Sequence, residues 1–164
     1  MLIINAIGFS QSGKTTLLEA ITRHYSSQGK LVAAIKDIHG EEFQPDEEGK
    51  DTWQYSQAGA QLVVGRGPRD TIFHWSRQLS FLELVGKVVA DVLIVEGFKD
   101  EQMPRIVCSK DSEELADLVD SCTYCISGVI SEESTEYEGI PVLNAERDLP
   151  QIIALVESHS VVCE

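Results

Sequence analysis

Residues 7–17 read IGFSQSGKTTL and contain the pattern Gly8-x-x-x-x-Gly13-Lys14-Thr15. Few short patterns restrict a fold as strongly. A loop of this kind needs a strand delivering the chain into it and a helix leaving it, so that backbone N–H groups converge on one anion. Both flanks fit. LIINAIG is a mostly apolar run ending in glycine, as a buried strand does. Leu17, Leu18, Ile21 and Tyr25 then recur at helical spacing until Gly29. An ordinary glycine turn would not need either flank. The amides from Gly8 through Ser10, Gln11, Ser12 and Gly13 would wrap phosphates. Lys14 would reach the terminal ones, and the Thr15 hydroxyl would hold Mg²⁺.

The remainder of the chain alternates strand and helix patterns. LVAAIK is a second buried strand, and DIHGEEFQPDEEGK is a polar loop. A helix is expected from Asp51, where DTWQ offers a cap with Gln54 three residues on, to near Gly59. QLVVG and TIFHW flank the turn-like RGPRD and suggest a hairpin, and SFLELVGKVVA is a helix with a Ser80/Glu83 capping box. DVLIVEG is the most apolar strand. PRIVCS, YCISGVI and IPVL are further strands, DSEELADLVDS is a helix, and DLPQIIALVES closes the chain as a helix capped by Asp148. This alternation predicts a largely parallel sheet covered on both faces. The expected architecture is a P-loop NTPase-like three-layer α/β fold with a β-hairpin extension, in a single domain over residues 1–164. Ligands of such sheets sit beyond the carboxyl ends of the strands.

Several candidate residues stand at those ends. Glu96 closes VLIVEG, where a phosphate loop needs a carboxylate for its metal, and Gly97 allows close backbone approach. Asp91 lies at the opposite end of the same strand. Asp37 and His39 follow the second strand. A carboxylate there can position water, and an imidazole can shuttle protons or bind metal, unless both are simply solvated loop residues. Asp37 and Lys14 are the candidate catalytic residues. Lys36 is a strand-end charge. Lys50 precedes a helix start, a favourable place for an anion and equally an ordinary helix entry. Arg66 and Arg69 read as decoration of the hairpin tip. Cys122-x-x-Cys125 lacks a second ligand pair at matching spacing, because Cys108 and Cys163 are scattered, so structural thiols are expected.

Composition narrows the function classes. Thirteen basic against 27 acidic residues give a net charge of −14, which repels nucleic-acid backbones and anionic membranes. No stretch approaches the roughly 20 apolar residues of a membrane span. The opening MLIINAIGFS has no basic leader, so a cytoplasmic protein with reduced thiols is expected.

Three segments, GFSQSGKTTLLEAI, GKDTWQYSQAGA and VLIVEGFKDEQMPRI, resemble the molybdopterin-guanine dinucleotide biosynthesis protein B (MobB) family in order and spacing. The phosphate loop is common to many families; the GKD…AGA and VEGFK…P blocks are far more specific. The resemblance covers roughly residues 1–110. It implies a GTP-binding, weakly hydrolysing homodimer that assists the guanylyltransferase joining GMP to molybdopterin in molybdenum cofactor maturation. On the matching positions, Gly8, Ser12, Gly13, Lys14, Thr15 and Thr16 would hold phosphates and Mg²⁺. Glu96 takes the metal-side acidic place, and Lys99 falls in the EGFK block. One departure follows the second strand. The family tends towards a histidine-rich stretch, whereas Lys36, Asp37, Ile38, His39 and Gly40 keep one histidine, which weakens any metal or molybdate role there. Two other classes use the same loop. A small-molecule kinase using ATP would carry an arginine-rich lid, and a nucleotide-gated metallochaperone a dense His/Cys run; the sequence has neither. It also lacks an Asn-Lys-x-Asp base-reading motif, so guanine selectivity rests on the resemblance.

Overall fold

The computed structural model describes residues 1–39, 49–159 and 161–162. Gly40, most of the polar loop before Lys50, and Cys163 lie outside the described residues. In chain order the elements begin with β1 (Leu2–Gly8), α1 (Lys14–Ser27), β2 (Val32–Lys36) and α2 (Asp51–Gln57). They continue with β3 (Leu62–Arg66), β4 (Thr71–Trp75), α3 (Phe81–Val85), β5 (Val92–Glu96) and β6 (Arg105–Cys108). Then follow α4 (Ser112–Leu118), β7 (Thr123–Ser127) and a 3₁₀ turn (Val129–Glu132). The last elements are β8 (Glu136–Tyr137), β9 (Ile140–Pro141), α5 (Leu149–His159) and β10 (Val161–Val162). Backbone contacts divide the chain into two compact units, Met1–Asp37 with Val88–Glu164, and Ile38–Lys87.

The first unit carries a sheet in the order β2-β5-β1-β6-β7, with every neighbouring pair parallel. β10 adds an antiparallel pairing to the first residues of β1, Leu2 and Ile3, ahead of the stretch that pairs β6. Successive side chains of a strand point to opposite faces, and the core divides accordingly. Ile4 and Ala6 of β1 pack with Leu17, Leu18, Ile21 and Tyr25 of α1 and with Ile152, Ile153 and Val156 of α5. Ile7 packs on the other face with Val107, Ile126, and Leu115 and Leu118 of α4. Three layers result, as the alternation of apolar runs predicts. Because the five strands are parallel, their carboxyl ends share one edge, and the phosphate-loop sequence leaves β1 there.

The second unit holds α2, the β3–β4 hairpin and α3. The hairpin runs in register from Leu62↔Trp75 to Arg66↔Thr71, and Gly67 N–H donates to the Asp70 carbonyl across the turn (2.8 Å). α3 starts with the expected capping box: Ser80 Oγ accepts from Glu83 N–H (3.3 Å) and the Glu83 carboxylate accepts from Ser80 N–H (2.9 Å). It ends at Val85, earlier than expected, because Gly86 closes it and the β-branched pair Val88 and Val89 follows.

Other expectations shift for local reasons. β7 ends at Ser127, since Gly128 turns the chain at φ 96° into the 3₁₀ turn and takes Val129 and Ile130 out of the strand. IPVL contributes only Ile140 and Pro141 to a strand. They pair with Glu136 and Tyr137 around Glu138 and Gly139, both at positive φ, which is the two-residue hairpin geometry. Asp148 precedes α5, and its carboxylate turns back to accept from Asn144 N–H (2.9 Å). On the hairpin, the successive residues Ile72 and Phe73 are both exposed, which strict alternation does not predict, whereas Val63 is buried and Trp75 half-buried beneath the Lys87 ammonium. Among the described residues no helix is long and apolar enough to cross a membrane.

Candidate functional site

The loop between β1 and α1 is shaped by residues in the left-handed region. Gly13 caps α1 at φ 93°, ψ 6°, and Gln11 sits at φ 62°. Most helices satisfy their first amides with a Ser, Asp or Asn side chain at the cap. α1 has no side-chain cap and no acidic residue in its first turn. Its 14 residues therefore present a positive end to whatever anion lies at the loop. Ser12 is buried, while Ser10, Gln11, Thr15 and Thr16 are exposed around the same end.

Lys14 lies back along this loop. Its ammonium donates to the carbonyls of Gly8 (2.9 Å) and Phe9 (2.6 Å), and Ser12 Oγ lies at 3.5 Å. Burial lowers its pKa below the ordinary lysine value of 10.5; Cys108 and Glu96 oppose the shift, and the charges of Lys36 and Lys99 add to it. An ammonium already stripped of part of its hydration gives up less on meeting phosphate. Lys99 approaches from the loop after β5 and lies 4.4 Å from the centroid of the Phe9 ring, inside cation–π range.

Thr15, Lys36 and Glu96 line one cleft of about 440 Å³ on the β2–β5 side of α1. Lys36 Nζ is 3.1 Å from Glu96 Oε1, so the strand-end lysine is a specific partner of the carboxylate. Asp37 N–H donates to the Glu96 carbonyl (2.9 Å), and a Cβ on Gly97 would stand 3.0 Å from Asp37 Cβ. Asp37, Glu96 and Thr15 are thus gathered on one edge. Asp91 serves the opposite end of the sheet, accepting from Leu31 N–H (2.8 Å). Among the described residues no group of three His, Cys, Asp or Glu could cage a metal. A hydroxyl with one carboxylate nevertheless fits Mg²⁺, which keeps waters and takes its other oxygens from phosphates. His39 and Lys50 belong to the second unit, where Lys50 precedes α2 in extended conformation (φ −75°, ψ 157°), Arg66 ends β3 and Arg69 lies within the hairpin turn.

Three residues that the sequence patterns passed over hold the site together. Asn5 is fully buried within β1 and donates through Nδ2 to the Gly97 carbonyl (2.9 Å). Arg105 is buried within β6. Its guanidinium donates to the carbonyls of Lys99 (3.1 Å), Met103 (3.3 Å) and Glu101, and lies 3.8 Å from Asp120 Oδ2. These bonds pin the loop that bears Lys99, in which Gly97 and Phe98 both hold positive φ. Gly128 is the third: a Cβ there would lie 2.0 Å from the Ser12 carbonyl, and a Cβ on Gly13 would lie 2.9 Å from Gly128 Cα. A polar letter in each of two apolar runs, Asn5 in LIINAIG and Arg105 in PRIVCS, was the available signal. Cys108, Cys122 and Cys125 are free thiols, and burial pushes Cys108 and Cys125 up to about 12, so neither is a thiolate at neutral pH.

The Gly128 contact yields a test with a matched control. Gly128 and Gly139 both have positive φ, but a Cβ at Gly139 meets nothing within 4 Å. Gly139→Ala should cost only backbone strain, about 1–2 kcal/mol. Gly128→Ala should lower the unfolding midpoint further and weaken pyrophosphate binding. Equal unfolding midpoints and unchanged pyrophosphate affinity in the two variants would contradict the proposed contact.

Comparison with known proteins points to one family. The family model for molybdopterin guanine dinucleotide synthesis protein B matches residues 3–132, beyond the segments that carry the sequence resemblance. A probable molybdopterin-guanine dinucleotide biosynthesis adapter protein of Bacillus subtilis is 35% identical over 148 residues, covering 88% of this chain and 86% of the relative. A putative adapter protein of the same description from Methanocaldococcus jannaschii is 36% identical over 132 residues, which span 77% of this chain and 54% of that protein. The crystal structure of Bacillus subtilis MobB is similar with a TM-score of 0.78 at 32% identity, covering 98% of this chain and 99% of that one. On the family match, the identity and the shared three-layer fold, the chain belongs to the MobB family.

Proposed function

We propose that the chain binds GTP with Mg²⁺ on the loop from Gly8 to Thr16, hydrolyses it slowly, and acts as an adapter in molybdopterin-guanine dinucleotide synthesis. In that role it assists a guanylyltransferase that joins a GMP unit to molybdopterin. The observation that carries the nucleotide reading is the amide end of α1, which has no side-chain cap, together with a Lys14 ammonium that lies back on the Gly8 and Phe9 carbonyls of the same loop. The adapter role follows the names of the relatives.

Each residue then has a definite task. Lys14 exchanges two loop carbonyls for the terminal phosphates, trading neutral acceptors for charged ones. Backbone amides of Ser10 to Thr16 surround the phosphates. Thr15 Oγ1 and the Glu96 carboxylate would hold Mg²⁺, which offsets the phosphate charge when bound. Lys36 supplies the counter-charge to Glu96 otherwise. Asp37, fixed beside Glu96 through its own N–H, orients the attacking water. Lys99 adds a positive charge at the Phe9 side of the loop. Slow turnover suits an adapter, which has to hold one nucleotide state long enough to engage its partner. A homodimer belongs to the same reading: Leu62, Val64, Ile72 and Phe73 expose apolar surface on the hairpin that a second copy would cover. Sedimentation at micromolar concentration should give the mass of a dimer, and a monomer mass would contradict it.

Glu96→Gln and Asp37→Ala separate metal holding from water positioning. Glu96→Gln should flatten the Mg²⁺ dependence of GTP affinity and leave Mg²⁺-free binding at the parent value. Asp37→Ala should lower kcat while changing the GTP Kd little. Parent-like Mg²⁺ dependence in the first, or a changed Kd with unchanged kcat in the second, removes these roles.

A further inference from the structure

A second cleft, of about 700 Å³, adjoins the phosphate loop away from Glu96 and includes Gly13, Thr16, Gly128, Glu132, Asn144 and Arg147 in its walls. Its size is ordinary for a small-molecule site. It shares Gly13 and Thr16 with the loop, so a nucleotide whose phosphates rest there has this cleft open to its nucleoside. The far wall carries a carboxylate held in place before any ligand arrives. Asn144 Nδ2 donates to Glu132 Oε1 (2.6 Å) and to Ser131 Oγ (3.2 Å). The amide cannot turn over without loss, because Asn144 Oδ1 accepts from the N–H groups of Glu146 (3.0 Å) and Arg147 (3.1 Å). The segment is itself tied to β7: Leu143 N–H donates to the Ile126 carbonyl (2.9 Å), and Ser127 Oγ–H to the Leu143 carbonyl (2.7 Å).

We infer that Glu132, positioned by Asn144, reads the base as guanine; this rests on the nucleotide reading above. Guanine presents N1–H and N2–H side by side as two donors, and a carboxylate accepts both. Each carboxylate oxygen has two acceptor sites, so Oε1 can keep its Asn144 bond while receiving the base. Adenine turns an N1 lone pair towards the same carboxylate, and xanthine turns a carbonyl oxygen towards it; both are repelled. Glu132 ends the 3₁₀ turn and Asn144 lies 12 residues further along the chain, so the pair forms no contiguous base-reading motif.

The test is competition among GTP, ATP and XTP, each with Mg²⁺, for the parent chain and for Glu132→Gln, Asn144→Ala and Lys14→Ala. The parent should prefer GTP. Glu132→Gln replaces one acceptor with a donor, so GTP affinity should fall about ten- to hundredfold, XTP should gain, and ATP should hold within a fewfold. Asn144→Ala should weaken GTP less and give XTP no gain. Unchanged ratios in Glu132→Gln, or an equal loss of all three nucleotides, would overturn the inference, and the phosphate loop would stand if Lys14→Ala still weakened them together. A parent chain that binds none of the three would instead overturn the nucleotide reading itself.

Discussion

The loop from Gly8 to Gly13 is seated by backbone touching backbone. Gly8 comes so near the Cys108 carbonyl that a Cβ would stand 2.2 Å from it, and Gly128 closes on the Ser12 carbonyl in the same way. Val129 N–H then donates to that Ser12 carbonyl (3.3 Å). The loop is therefore held from behind by the ends of β6 and β7, and its amides are left facing out. A side chain at either glycine would lift the loop from its seat. The cap of α1, the path of Lys14 and the two clefts beside it all depend on this contact.

Buried polar groups supply the second constraint. Taking a guanidinium out of water costs several kcal/mol unless its donors are satisfied. Arg105 meets that condition through three carbonyls of the segment from Lys99 to Met103, with Asp120 close by. The loop in turn accepts the left-handed conformations of Gly97 and Phe98. Asn5 plays the same part in the middle of β1, linking it to Gly97. The strand end at Glu96 and the loop bearing Lys99 are thus held by polar residues lying inside apolar strands.

The sequence made much of this legible because local chemistry fixed it. The glycines and lysine of the loop, the apolar period of β1 and α1, the Ser80/Glu83 box and the Glu96 strand end each announce themselves within a few residues. What stayed hidden depends on partners far along the chain. Gly128 matters because of Ser12, Arg105 because of carbonyls around Lys99, and the Glu132–Asn144 pair because the 3₁₀ turn meets a later segment. The hairpin shows the limit of pattern reading in another way. Alternation predicts two faces, but it could not tell that Val63 turns inward while Ile72 and Phe73 remain exposed.

The central claim is that this loop binds a nucleoside triphosphate through Lys14 and the amide end of α1. Calorimetric titration of GTP with Mg²⁺ into the parent chain and into Lys14→Ala tests it most directly. The account predicts one GTP per chain in the parent and an affinity about ten- to hundredfold lower in the variant, the cost of one charge-assisted contact of about 1.5–3 kcal/mol. Equal affinity in the two proteins, or no binding in the parent, would contradict it.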